Sequence, residues 1–342
     1  MNKKPVYILG IESSCDETSA AISCNGTILS NIIAGQEVHE RFGGVVPELA
    51  SRAHQQQIIP VVDAALSEAK VAKEDLAAVA FTRGPGLIGS LLVGTSFAKA
   101  FAMSLNIPLI EVNHMQAHVI GNFAARERQE IIAPEFPFLC LTVSGGHTQI
   151  VKVESYLKME IIGQTIDDAA GEAFDKVAKM LNLPYPGGPE VDKMAAIGNP
   201  KAFKFPVSDM PGLNYSFSGF KTSVLYFLQK QRQQQADFAE ANMADICASA
   251  QYTIITILLK KLTQAVAETG IKNIAIAGGV SANKGLRKAL MEKQETSGWK
   301  VHIPAFEYCT DNAGMIALYG YYKWQAKEFA GLDIAPTARY GF

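Results

Sequence analysis

Residues 7–34 run as an apolar stretch, a turn of small and polar residues, a returning stretch and a third, and the same order starts again at residue 138. In the first half, residues 7–11 and 18–24 are apolar runs. Asn25-Gly26 then supplies the two-residue turn that closes hairpins and leads into residues 27–34. In the second half, 138–143 reads as a strand, Ser144-Gly145-Gly146 as a tight turn, and 147–153 and 159–164 as two further strands. Helical patterns follow each opening. They begin at Pro47 (with Pro60 expected to kink that helix) and at residue 90 in the first half. In the second half they cover 167–181, roughly 238–268 closed by Gly270, and 281–293, and a last one runs from Asp311 towards Trp324. Runs at 76–82, 108–112 and 273–277 read as buried strands. Strands interleaved with helices in this way specify an α/β architecture, with sheets covered by helices. The two halves share little identity. The restart is compatible with an internal duplication and equally with two independent strand-loop-strand openings.

Composition narrows the class. A length of 342 residues suggests two domains at ~150 residues each. With 48% hydrophobic and 19% charged residues, the chain has ample material for a core, which excludes a disordered tail, a collagenous fibre and a small disulfide scaffold. The formal net charge is −2, so any nucleic-acid contact must come from a local patch. Five cysteines at 15, 24, 140, 247 and 309 are odd in number and form no C-x-x-C, which fits a reduced compartment. The apolar run before Glu12 is too short for a signal sequence. The longest uncharged stretches, 84–98 and 246–259, fall short of the ~20 residues that a spanning helix needs. A soluble, cytoplasmic protein without a membrane segment is expected.

Three turns at strand ends carry the polar chemistry: Gly-Ile-Glu-Ser-Ser-Cys-Asp-Glu-Thr at 10–18, Thr-Val-Ser-Gly-Gly-His at 142–147 and Ala-Gly-Gly-Val-Ser-Ala-Asn at 277–283. Glycine lets backbone N–H groups approach an anion, and a helix N-terminus adds to the attraction. Each alone reads as an ordinary turn, whereas three together point to a nucleotide cleft between two lobes. His-Met-Gln-Ala-His places His114 and His118 at i, i+4, one face of a helix and the usual spacing of two metal ligands. Met115 stands where a zinc peptidase would have its general-base glutamate. Asp311 is the candidate third ligand; its other reading is a plain helix cap. Asp168, Glu172 and Asp175 would share a helix face, either solvated or around a ligand. Between 201 and 232, Lys201, Lys204, Lys221, Lys230 and Arg232 oppose only Asp209, with seven aromatics interleaved. That mixture suits RNA with splayed bases, or else a basic surface over an aromatic core. Lys284, Arg287, Lys288, Lys293 and Lys300 form a second, weaker basic cluster.

Taken in order over residues 6–320, these motifs resemble the universal tRNA threonylcarbamoyladenosine-forming transferase family, TsaD, once called O-sialoglycoprotein endopeptidases. Further matching motifs are Gly-Gly-Val-Val-Pro-Glu-Leu-Ala-Ser-Arg (43–52), Gly-Pro-Gly-Leu-Ile-Gly (84–89), Asp-Asp-Ala-Ala-Gly-Glu-Ala-Phe-Asp-Lys (167–176), Tyr-Pro-Gly-Gly-Pro (185–189) and Cys-Thr-Asp-Asn (309–312). Ser-Ser-Cys-Asp-Glu-Thr is similar to the bacterial and organellar branch. Ala313-Gly314 departs from the Gly-Ala frequent in bacterial members, and both residues are small.

The resemblance implies the actin/sugar-kinase/Hsp70-like fold, two α/β lobes around a central nucleotide cleft. Lobe I would span 1–133 and be completed by a C-terminal helix, 311–342; lobe II would span 134–310. It implies transfer of threonylcarbamoyl from threonylcarbamoyl-AMP to N6 of adenosine 37, in tRNAs reading A-starting codons, with release of AMP. By motif, His114, His118 and Asp311 match the ligands of one divalent metal, iron by family precedent, with Zn²⁺ or Mn²⁺ as alternatives. Thr142, Val143, Ser144, Gly145, Gly146, Asp175, Gly188, Asp192 and Asn283 match positions that contact the nucleotide-bearing substrate. Asp16 and Glu17 match an acidic pair of catalytic interest. Implied partners are tRNA, a smaller paralogous actin-like subunit, a P-loop ATPase subunit and a second copy of the chain. Two other classes share the phosphate loops: an ATP phosphotransferase or ATPase of this fold, which has no use for a His₂Asp site, and a non-catalytic adaptor, which would be expected to lose it.

Overall fold

A computed structural model describes residues 4–35, 44–126 and 131–342. Gly43, the first residue of one motif, lies outside them. The chain divides into two compact units: residues 1–133, 155–159 and 304–342 form the first, and residues 134–154 and 160–303 the second. The expected limits of lobe II differ from this at two places, because 155–159 and 304–310 group with the first unit.

In the first unit, β1 (Tyr7–Glu12), β2 (Thr18–Cys24), β3 (Thr27–Ala34), β4 (Leu76–Gly84) and β5 (Leu109–Asn113) make one sheet in the order β3-β2-β1-β4-β5. The pairs β1–β2 and β2–β3 are antiparallel; β1–β4 and β4–β5 are parallel. Alternation along the strands sorts side chains to two cores. Ile8, Ala78 and Ala80 face one side, and Leu9, Ile11, Val79 and Phe81 the other. Helices α1 (Pro47–Ala69) and α2 (Ile88–Leu105) cover the second face, and Pro60 lies inside α1 without ending it. By length and composition α2 could cross a membrane, contrary to expectation; its Leu91, Gly94, Ala98 and Ala102 are buried. Helices α3 (His114–Ile120) and α10 (Ala313–Gln325) cover the other face.

The second unit repeats the topology. Strands β6 (Phe138–Val143), β7 (Thr148–Ser155), β8 (Lys158–Gln164), β9 (Asn273–Ala277) and β10 (Lys300–His302) run in the order β10-β9-β6-β7-β8. Numbered from its own first strand, that is the first sheet's order. Its helices are α4 (Ala170–Met180), α5 (Gly187–Ala195), α6 (Ser218–Gln234), α7 (Phe238–Ala241), α8 (Met243–Thr269) and α9 (Lys284–Ser297). The helix expected over 238–268 breaks at Asn242, and its continuation ends on Gly270 in the left-handed region (φ 71°).

Two expectations fail here. Asp167 and Asp168 precede α4, whose cap is Ala169, so Asp168, Glu172 and Asp175 do not share a helix face. Lys176 pairs with both Asp168 and Glu172, and Lys221 lies 2.7 Å from Asp168, so lysines settle that charge. The aromatics of 201–232 are mostly core: Tyr215, Phe217, Phe220 and Phe205 are buried, and Tyr226 is the exposed ring. They are not a platform for stacked bases.

Candidate metal centre and glycine loops

The parallel strands β1, β4 and β5 end together, where α/β proteins commonly place their sites. Strand β5 passes directly into α3. Asn113 ends the strand and caps the helix, its side chain accepting from the N–H groups of Met115 (2.9 Å) and Gln116 (3.1 Å). His114 and His118 are consequently delivered to the sheet's end on one face of α3, rings 4.6 Å apart and edge to face.

Asp311 stands just ahead of α10, and small residues bring that helix close. A Cβ on Gly10 would lie 2.5 Å from the Ala317 nitrogen, and one on Gly320 would lie 2.4 Å from the Ala80 Cβ. The cap of α10 is Asn312, which is fully buried and accepts from the Met315 N–H at 3.0 Å. Asp311 is therefore not the cap. Its Oδ1 lies 3.3 Å from His114 Nε2 and 3.1 Å from His118 Nε2. One ligand atom from each of the three residues lies within 4.8 Å of the others.

Behind His114 sits Glu12, which the sequence reading passed over. Its Oε2 is 2.9 Å from His114 Nδ1 and accepts from Thr82 Oγ1 at 2.5 Å, while Oε1 accepts from the Ser14 N–H at 2.5 Å. The available signal was an acid closing an apolar strand. Burial alone would lower the His114 pKa, but Asp311 and Glu12 outweigh it and hold it well above the ordinary value. Burial pushes His118 down, and neighbouring His114 adds to this. Burial would raise Asp311, yet the two histidines hold it far below the usual carboxylate range. Asp16 and Glu17 occupy the half-buried turn between β1 and β2 in the same unit. Burial, Asp311 and Asp16 push Glu17 up to about 9.

The residues fit a metal. His114 Nδ1 faces a carboxylate and carries a hydrogen, so the second hydrogen of the charged ring sits on Nε2, towards Asp311; a metal ion bound there would take that hydrogen's place. Two imidazoles and one carboxylate suit Fe, Zn or Mn.

The nucleotide-type positions all lie in the second unit. Strands β6 and β9 run parallel, pairing Thr142 with Ala277, and Gly278 packs so closely that a Cβ would sit 2.5 Å from the Val143 carbonyl oxygen. The loops at 142–146 and 278–283 are thus neighbours at adjoining strand ends of one sheet, rather than facing walls. Ser144 N–H donates to the His147 carbonyl (2.8 Å) and Ser144 Oγ accepts from the His147 N–H (3.1 Å), which closes the turn. A Cβ on Gly145, Gly146, Gly188 or Gly279 would meet nothing within 4 Å, and none of these has a left-handed φ. Neither packing nor backbone conformation demands glycine there, and the backbone at these positions is left open to approach. Asp175 accepts from the N–H groups of Gly187 (2.9 Å) and Gly188 (3.3 Å), and burial raises its pKa. Asp192 and Asn283 are joined through Gln251, a residue the sequence reading did not single out. Asn283 Nδ2 donates to Gln251 Oε1 at 2.7 Å, and Gln251 Nε2 donates to Asp192 Oδ1 at 3.1 Å. Asn283 also caps α9, and Asp192 accepts from the Lys284 N–H.

Known proteins match both levels of this description. The T. kodakarensis HypF structure superposes with a TM-score of 0.63 at 14% identity, covering 96% of this chain and 49% of that one. Component A of the Acidaminococcus fermentans (R)-2-hydroxyglutaryl-CoA dehydratase superposes with a TM-score of 0.53 at 17% identity, covering 93% and 98%. These likenesses speak for the fold, which is of the actin/sugar-kinase/Hsp70-like class. The tRNA N6-adenosine threonylcarbamoyltransferase of Christiangramia forsetii is 61% identical over the whole of both chains. That of Porphyromonas gingivalis is 58% identical over 98% of this chain and 99% of its own. The family model "TsaD: tRNA N6-adenosine threonylcarbamoyltransferase" matches residues 27–318. The chain belongs to the TsaD family of tRNA N6-adenosine threonylcarbamoyltransferases.

Proposed function

We infer that this chain is an acyltransferase that places threonylcarbamoyl on N6 of adenosine 37 in tRNAs reading A-starting codons, with threonylcarbamoyl-AMP as donor and AMP as leaving group. The observation that carries the reading is full-length identity of 61% to a transferase of that name. The convergence of His114, His118 and Asp311 supports it as well.

The donor is a mixed anhydride and already activated. The adenine N6 attacks the carbamoyl carbon, a C–N bond forms, the C–O bond to phosphate breaks, AMP leaves with that oxygen, and N6 gives up one proton. Such a step needs a held phosphate, a polarised carbonyl and an oriented amine more than a strong nucleophile. His114, His118 and Asp311 would hold one divalent ion, Fe²⁺ in the first instance and Zn²⁺ or Mn²⁺ otherwise. When bound, that ion would supply Lewis acidity. Gly145 and Gly146 leave their backbone open to a phosphate. Asp175 holds Gly187 and Gly188 in place, and the Gln251-linked Asp192 and Asn283 supply polar contacts for the nucleoside. Asp16 and Glu17 are assigned to the acidic pair of the first turn, on the metal's side of the chemistry.

The reading includes a cytoplasmic location and action with a smaller paralogous actin-like subunit, a P-loop ATPase and a second copy of the chain. Nucleoside mass spectrometry of tRNA from cells depleted of this protein tests it. Loss of N6-threonylcarbamoyladenosine, restored by the wild-type chain, is expected. Unchanged levels of the modified nucleoside would overturn it.

A further inference from the structure

We propose that Glu12 is a positioning residue of the metal centre: from behind His114 it fixes the ring so that Nε2, and not Nδ1, is the ligand atom. This rests on the reading of His114, His118 and Asp311 as metal ligands.

Glu12 is completely buried at the end of β1, a place where a carboxylate is costly unless donors surround it. Three donors do. Ser14 N–H engages one oxygen, and Thr82 Oγ1 and His114 Nδ1 engage the other, at 2.5, 2.5 and 2.9 Å. Ser14 Oγ adds a longer contact to the same ring nitrogen, at 3.3 Å. A carboxylate oxygen accepts and never donates, so His114 must present N–H at Nδ1 and leave Nε2 for the side facing Asp311. The other imidazole has no such support, because His118 Nδ1 is buried without a hydrogen-bond partner among the described residues. The metal site is thus braced on one ring. Its brace joins the ends of β1 and β4 to the first residue of α3. Such carboxylate–histidine pairs orient metal ligands and are worth about 10- to 100-fold in metal affinity.

An amide in place of the carboxylate cannot satisfy this arrangement. Gln at position 12 has one acceptor oxygen for donors on two sides, so its NH₂ must face either Ser14 N–H or the Thr82 and His114 pair. The first choice sets donor against donor; the second drives the His114 hydrogen to Nε2 and removes the lone pair that binds metal.

The test uses the whole chain with Zn²⁺, which is diamagnetic. Zinc affinity is measured by chelator competition for wild type and Glu12→Gln. Long-range ¹H–¹⁵N spectra of the zinc-loaded, histidine-labelled wild type read the ring nitrogens. The expected results are a loss of about 10- to 100-fold in zinc affinity for Glu12→Gln, and a hydrogen on Nδ1 of wild-type His114. A folded Glu12→Gln protein that binds zinc as tightly as wild type overturns the proposal, as does a spectrum with the hydrogen on Nε2. If Glu12→Gln does not fold, the wild-type spectrum decides alone. A wild-type chain that takes up no zinc, iron or manganese overturns the metal reading itself, a result separate from failure of the Glu12 assignment.

Discussion

Nε2 of His118 lies 3.1 Å from Oδ1 of Asp311, a residue 193 positions further along the chain. Removing the histidine side of this pair should remove the metal. Wild type should carry one ion per chain, and the His114→Ala, His118→Ala double variant none, by elemental analysis of purified protein. Both rings are buried, so truncation should also lower stability by ~1–3 kcal/mol while circular dichroism stays native-like. Full metal retention in the double variant contradicts the ligand assignment.

Gly145 and Gly10 should respond oppositely to an added side chain. A Cβ at 145 enters open space, so Gly145→Val should change unfolding stability by no more than about 0.5 kcal/mol. AMP affinity by calorimetry should nonetheless fall at least ~10-fold, as the new side chain occupies the approach to the turn. Gly10→Ala drives a Cβ to 2.5 Å from the Ala317 nitrogen and 2.6 Å from the Ala313 carbonyl oxygen, forcing α10 off β1. Denaturant unfolding should then show a loss of ~3 kcal/mol or more, or no folded protein. Unchanged AMP binding by Gly145→Val would reduce that loop to a structural turn.

Stability should have an acid limb tied to Asp168. Burial would raise its pKa, but Lys221 and Lys176 outweigh that and hold it below the ordinary value of 3.8. With a depressed folded value, its contribution is complete above the unfolded carboxylate range. The contribution fades as pH falls through the folded value. Asp168→Asn should be less stable than wild type at pH 7, by less than ~1 kcal/mol for a partly exposed pair. The difference should shrink below pH ~4. A gap that stays constant down to pH 2 contradicts the assignment.

A tRNA surface is expected where exposed cations of residues 201–232 cluster. Lys221 is committed to Asp168, and the exposed Arg232 is held by the Met180 carbonyl; Lys201, Lys204 and Lys230 are the exposed lysines of that segment. Replacing these three with alanine should flatten the salt dependence of tRNA binding by at most about one slope unit per lost phosphate contact. Metal content and AMP affinity should hold. An unchanged slope moves the search to Lys284, Lys288 and Lys293, which edge a groove of about 720 Å³ floored by α8.

Much of the site could be read without coordinates because its information is local. The i, i+4 spacing of His114 and His118 survives any tertiary arrangement that keeps the helix, and the Gly-Gly turns stand at strand ends in any α/β layering. Asp311 was ambiguous for a local reason too. Asp and Asn are both good caps, and adjacent residues 311 and 312 compete for one position. Packing settled the competition by burying Asn312, which caps α10 at the Met315 N–H, and leaving Asp311 beside the histidines.

Other features were open to the tertiary structure alone. The alternation of aromatics and lysines at 201–232 does not say which way a ring points, and the core took nearly all of them. Asp168 looked like a helical neighbour of Glu172 until α4 proved to start at Ala170. Glu12 reads in the sequence as an acid that ends a strand. It becomes the support of His114 because the strand order puts β1 beside β4 and β4 beside β5, so that Thr82, Glu12 and the first turn of α3 meet at one edge. Spacing along one helix is fixed by the chain itself. Contact between residues 70 and 102 positions apart is fixed by which strands pair, and that is decided by burying two faces of a sheet at once.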